Sequence, residues 1–138
     1  MENRTKLKIQ QYEDALKNFE QSLSIDLNEF PDLVVDSIKS GRVQKFEICV
    51  ELLWKTLKLY LWEINGIDAK SPKLVVKEVY KIGLLTVQEY EKVMEMLDDR
   101  NKLSHVYRKE QYEEIYKRVV NTLTLLKKVS VFLEPYKS

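Results

Sequence analysis

The stretch DDRNKLSHVYRKE, residues 98–110, gathers Arg100, Asn101, Lys102, His105, Tyr107 and Arg108, and His105 is the only histidine in the chain. An arginine presents a planar fork of donors that matches phosphate oxygens and the charge building on a phosphoryl transition state. A histidine moves a proton near neutral pH, as general base or general acid. Together they suffice for cleaving RNA, whose own 2′-hydroxyl serves as nucleophile, so that neither a metal nor any other cofactor is required. The basic neighbours Lys102, Arg108 and Lys109 add local positive potential. The two acids of the stretch, Asp98 and Asp99, are adjacent and point apart on a helix, which makes them poor joint metal ligands.

Side chains on an α-helix advance by about 100° per residue, so Arg100 and His105 point about 140° apart while Arg100 and Tyr107 fall within about 20° of each other. For all three to converge, the helix must end or bend near Ser104, or a second chain must complete the set. Ser104 can help stop a helix by bonding back to the backbone. Spacing alone also suits a bland role for His105, as a capping or surface residue at a helix end. Three other features carry competing readings. Cys49 reads as a small core residue, since no paired base is evident. Trp54 and Trp62 read as core or interface rather than as a platform for stacking bases. Lys70, Lys73, Lys77 and Lys81 form either a solvated face or a surface for an anionic partner.

The elements that must position these groups are helical throughout. Apolar residues recur at helical spacing over residues 4 to about 27, at Leu7, Tyr12, Leu16, Phe19, Leu23 and Leu27. Asn28 to Pro31 interrupts the pattern, Pro31 suits the first turn of a short second helix through Ile38, and Gly41 marks a joint. From Val43 to Ile64 apolar residues cover more than one stripe, including Phe46, Ile48, Leu53, Trp54, Leu57 and Trp62. This predicts a central helix buried on several sides, by its own bundle and by a second subunit. Gly66 is placed for a left-handed cap. Ser71-Pro72 opens a helix carrying Leu74, Val75, Val79 and Ile82 that stops at Gly83. Thr86 to Glu89 is a capping box opening the helix that turns Tyr90, Val93, Met94 and Leu97 inward and leads into the reactive stretch. A last long helix from about Glu110 carries Ile115, Val119, Leu123, Leu126, Val129 and Leu133, closed by Pro135. The fold class is all-α: an antiparallel, up-and-down four-helix bundle with one or two short extra helices, in a single domain over residues 1–138.

Composition narrows the function further. Basic and acidic residues nearly cancel, at 23 against 22, so any polyanion site is a local patch rather than a global field. One cysteine excludes an internal disulfide framework and a cysteine-rich zinc site. The start, MENRTKLKIQQYED, has no apolar region of the signal-peptide kind, and no apolar run reaches membrane-span length. A soluble cytoplasmic protein without a membrane partner is the expectation.

Arginine, four residues, histidine, one residue, tyrosine, here Arg100-Asn-Lys-Leu-Ser-His105-Val-Tyr107, resembles the motif of the HepT-like branch of the HEPN superfamily. Asn101 is the polar residue that commonly follows the arginine. SGRVQKFEICVELLWKTLKLYL (40–61) looks like the family helix that precedes the motif, and SPKLVVKEVYKIGLL (71–85) resembles the next family segment in spacing and capping. The resemblance spans about residues 35 to 120 in order. It implies a homodimer whose two motifs line a shared cleft, and a small separate nucleotidyltransferase as partner. In the toxin members it implies a metal-independent endoribonuclease in which Arg100 binds the scissile phosphate and His105 transfers a proton. Asn101 would orient one of them or the RNA, with Lys102 and Arg108 alongside. Tyr107 would be the residue that the partner modifies with AMP from ATP, placing bulk and negative charge beside Arg100. In other members it implies a non-catalytic substrate-binding subunit of the nucleotidyltransferase.

Overall fold

The first helix follows its apolar stripe. The computed structural model, which describes residues 3–106 and 108–136, has α1 at Asn3–Leu23, with Ile9, Tyr12, Leu16 and Phe19 buried at steps of three and four. Thr5 is buried on the same side, donating its hydroxyl proton to Glu63 Oε1 at 2.9 Å. Leu7, expected inward, falls off the stripe and is 60% exposed. The chain then turns through a single 3-10 turn at Leu27–Glu29, capped by the Asp26 carboxylate.

The second helix corrects the expected joint. α2 runs unbroken over Asp32–Asn65, straight through Gly41, and Pro31 is its N-cap rather than a first-turn residue. A mid-helix glycine costs only about 1 kcal/mol relative to alanine. That cost is outweighed here because Arg42, Val43, Phe46, Val50, Leu53, Leu57 and Leu61 continue one buried stripe across it. Arg42 also ties the turn together: Nε donates to the Ser22 carbonyl and NH2 to the Ile25 carbonyl, each at 3.0 Å, while NH1 reaches the Tyr116 hydroxyl. It thereby ties the last turn of α1, where the Ser22 carbonyl also accepts from the Ile25 N–H at 3.3 Å, to the turn that follows. Burial on every side is not found within this chain, since Ile48, Trp62 and Ile64 of α2 remain exposed. Gly66 closes α2 with φ 65°, its N–H returning to the Leu61 and Trp62 carbonyls.

The remaining helices are α3 (Pro72–Lys81), α4 (Val87–Leu103), α5 (Lys109–Val119) and α6 (Leu123–Leu133). The last two correct the expected single long helix. Val120, Asn121 and Thr122 break it, with the Thr122 hydroxyl donating to the Val119 carbonyl (2.7 Å) and the Asn121 amide to the Lys117 carbonyl (2.8 Å). Such side-chain bonds compete with the helical ladder. Val75, Val76 and Val79 form the buried face of α3, and Leu74 faces solvent instead. In α4, Val93, Met96 and Leu97 are buried.

Cross-bonds give the helix directions. Thr5 meets Glu63, Tyr12 donates its hydroxyl to the Leu126 carbonyl, and Lys128 pairs with Glu89. α1, α2, α4 and the α5–α6 pair therefore run alternately up and down, with α3 a short extra helix between α2 and α4. The core lies between them and is closed by large buried side chains such as Tyr12, Phe19, Phe46, Leu53 and Leu126. The described residues contain six α-helices and no strand, which is the all-α bundle anticipated from the periodicity. No helix among them is long and apolar enough to cross a membrane.

Candidate functional site

The phase of α4 is set at its start. The Thr86 hydroxyl accepts from the Glu89 N–H (3.1 Å) and the Thr86 N–H donates to Glu89 Oε1 (2.7 Å), forming the expected capping box. Lys128 and the Thr86 backbone hold the Glu89 carboxyl below the usual carboxylate range. With the phase fixed, three successive residues near the far end face three different neighbours, as a 100° step requires. Asp98 pairs with Lys73 of α3 at 2.8 Å. Asp99, 3% exposed, receives both Nε (2.9 Å) and NH2 (2.8 Å) of Arg118 on α5. Arg100 turns to α2 and pairs through NH2 with Glu51 Oε2 at 2.7 Å. The last turns of α4 are thus tied to α3, α5 and α2 in sequence.

Glu51 is the hub of the Arg100 side of the site. Its Oε2 also accepts from the Trp54 indole N–H (3.2 Å), and its Oε1 pairs with Lys55 (3.0 Å). Burial works against its ionisation, but bonds from Lys55 and Trp54 and the Arg100 charge outweigh this and hold its carboxyl below the usual range. One turn earlier, burial pushes the Glu47 carboxyl up, with Arg100 pulling partly the other way. Arg100 Nε is buried and has no hydrogen-bond partner among the described residues. Arg100 and Asn101 line a cavity of about 500 Å³ together with Glu51, Trp54, Lys73 and Leu97.

α4 ends at Leu103, where Ser104 takes the C-cap and the His105 N–H donates to the Lys102 carbonyl at 2.9 Å. The helix therefore stops where convergence of the motif demands. His105 is exposed beyond it and lines a second cavity, of about 380 Å³, with Asn101, Lys102, Val106, Gln111 and Ile115. Arg108 is exposed at the N-cap of α5. Arg100 and His105 line different cavities within one chain, and Asn101 is the wall common to both. Tyr107 lies outside the described residues. Cys49 is buried as expected, and burial pushes its thiol up to about 12.

The residues that reading the sequence missed are Glu51 and Trp54 on α2, and the Asp99–Arg118 tie. Glu51, Trp54 and Lys55 are related by steps of three and four, a visible local signal. The bond from Glu51 to Arg100 has no local signature.

Comparison with known proteins agrees with this architecture. Residues 7–134 match the family described as nucleotidyltransferase substrate binding protein like. A Haemophilus influenzae protein named "Probable ribonuclease HepT" is 30% identical over 93 residues, covering 64% of this chain and 62% of that protein, so the match spans less than two thirds of the relative's length. The crystal structure of a Thermus thermophilus protein superposes with a TM-score of 0.74 at 30% identity, covering 86% of this chain and 94% of that one. A Haemophilus influenzae structure, described as revealing the fold of a substrate binding domain of a nucleotidyltransferase, superposes at 0.75 with 24% identity, covering 91% and 98%; it bears on the fold alone. A family match over nearly the whole chain and a shared all-helical fold lead to one conclusion: this chain belongs to the nucleotidyltransferase substrate binding protein like family.

Proposed function

We propose that the chain is a metal-independent endoribonuclease, a single HEPN-like domain working as a homodimer, whose partner is a small nucleotidyltransferase. The observation that carries this reading is the end of α4: it presents Arg100 at one cavity and, just past the helix stop, His105 at the next, with Asn101 between them. In a homodimer, two such ends facing each other would offer the phosphate clamp and the proton-transfer group to one RNA strand. The 2′-hydroxyl attacks phosphorus as His105 takes its proton. The bond to the 5′-oxygen breaks, that oxygen takes up a proton, and the products are a 2′,3′-cyclic phosphate and a 5′-hydroxyl. Arg100 stabilises the charge on the non-bridging oxygens, while Asn101, Lys102 and Arg108 position the strand. The nucleotidyltransferase silences the site by transferring AMP from ATP to the Tyr107 hydroxyl: the phenol oxygen loses its proton and bonds to the α-phosphorus as pyrophosphate leaves. The ribonuclease name of the Haemophilus relative supports this reading.

A second reading is favoured by the Arg100–Glu51 pair, which neutralises the guanidinium within one chain. In that case the protein is a non-catalytic partner subunit that binds the nucleotidyltransferase and cleaves nothing. The test is cleavage of RNA by the unmodified protein beside Arg100→Ala and His105→Ala. Each substitution is expected to lower the rate by about a hundredfold or more, the scale of losing one such group. Cleavage should persist in EDTA. Equal background rates from all three proteins would overturn the ribonuclease reading and leave the partner-subunit reading in its place.

A further inference from the structure

The cavity beside Arg100 has an aromatic wall that the phosphate chemistry does not use. Trp54 is half-buried there, and its indole N–H shares Glu51 Oε2 with the Arg100 guanidinium. One carboxylate therefore holds an indole and a guanidinium as adjoining walls of one space. Leu97 adds apolar surface, Ser71 and Asn101 add groups able to donate and accept hydrogen bonds, and Lys73 adds a second cation. The volume, about 500 Å³, falls in the range of small-ligand pockets. A purely anionic ligand would have no use for the indole, and an apolar side chain would have none for the two cations. A planar base joined to a phosphate uses both.

We propose that this cavity is a nucleobase subsite, in which one unpaired base stacks against Trp54 while the phosphate of the same nucleotide lies toward Arg100 and Lys73. This revises the expectation that Trp54 serves only core or interface. The proposal rests on the reading of Arg100 as a phosphate clamp. Because every base has a π-face, such a subsite selects single-stranded nucleotides without reading sequence. The occupant is a nucleotide of an RNA strand or a free nucleotide, two sources with the same chemistry.

The test measures binding of three probes to the full-length protein: a 2′-O-methyl oligoribonucleotide, which lacks the attacking hydroxyl; the same backbone made abasic; and uridine monophosphate. The wild type should bind the base-bearing oligomer about tenfold tighter than the abasic one, the scale of one base–aromatic stack. Trp54→Ala should erase that preference and leave abasic affinity unchanged, while Trp54→Phe should keep most of it. In a Trp62→Phe background Trp54 is the sole tryptophan of the chain. Its emission should be quenched by the base-bearing probe and not by the abasic one, a readout that leaves the subsite itself unmodified. Uridine monophosphate binding as tightly as the oligomer assigns the site to free nucleotide, and much weaker binding assigns it to RNA. Equal losses for both oligomers in Trp54→Ala would mean that the indole only supports Arg100 through Glu51, and would overturn the subsite. No preference or no quenching in the wild type would also overturn it. In that event, RNA cleavage that still depends on Arg100 would show that the ribonuclease reading survives on its own.

Discussion

Glu51 is the residue on which most of the site's electrostatics converge, since it accepts from Trp54 and pairs with both Lys55 and Arg100. Its carboxyl is held below the ordinary value near 4.5, so the folded state binds fewer protons than the unfolded chain as pH falls toward that value. The stability it contributes is therefore present above that value and lost as pH drops through the folded one. Glu51→Gln should destabilise the protein by about 1 kcal/mol at about pH 7, because the side chains involved are partly exposed. The gap should narrow between that pH and one well below the ordinary carboxylate value, as the wild-type carboxyl takes up its own proton. Urea unfolding at the two pH values checks this, and a gap that widens on acidification would refute it. Glu47 has the opposite sign: burial raises its carboxyl, so ionising it costs the folded state.

At the scale of elements, the continuity of α2 makes a sharp prediction about its glycines. A Cβ built at Gly41 meets no heavy atom within 4 Å, and the residue sits inside a helix. Gly41→Ala should therefore stabilise the protein by about 0.5–1 kcal/mol, chiefly by restricting the unfolded chain. Gly66 also has open space around it but adopts φ +65°, so Gly66→Ala should destabilise by about 1–2 kcal/mol. Denaturant midpoints moving in opposite directions with unchanged slopes would bear out both. A destabilised Gly41→Ala would mean that the helix needs to bend there. The same local logic explains why Gly41 read as a joint in the sequence. Glycine is a fair punctuator on average, but here the buried stripe from Val43 to Leu61 outweighs a penalty of about 1 kcal/mol. The division of the last helix at Val120–Thr122 was missed for the converse reason. Its apolar spacing continues unbroken across the gap, while the bonds that end α5 come from Asn121 and Thr122, which are tolerated in helices when they point to solvent.

At the scale of the molecule, α2 leaves Ile48 and Trp62 exposed, Trp62 to 55%, on a helix whose other faces close the core. We propose this side of α2 as the face on which two copies associate. Sedimentation at micromolar concentration should give about 33 kDa, twice the chain mass of 16.5 kDa. Ile48→Glu and Trp62→Glu should shift the population toward monomer with little loss of helicity, since neither side chain supports the core. A monomeric wild type would remove both the dimer and the shared cleft that the ribonuclease reading requires.

The sequence by itself determined the helical class, the starts of α3 and α4 at Ser71 and Thr86, and the end of α2 at Gly66, while it left the stop of α4 near Ser104 as one of two ways for the motif to converge. It also placed every candidate residue of the motif on one short stretch. These features are local: a capping side chain reaches three residues, a glycine sets its own φ, and an apolar stripe follows from a fixed angular step. Only the tertiary structure decided that Asp98, Asp99 and Arg100 face α3, α5 and α2 in turn, that Glu51 joins Trp54 to Arg100, and that Arg100 and His105 open onto separate cavities. The angular step fixes which side chains diverge along α4, but not which helix each one meets. That depends on how the loops and buried stripes dock the helices, a sum over contacts far apart in the chain that no short window of residues contains.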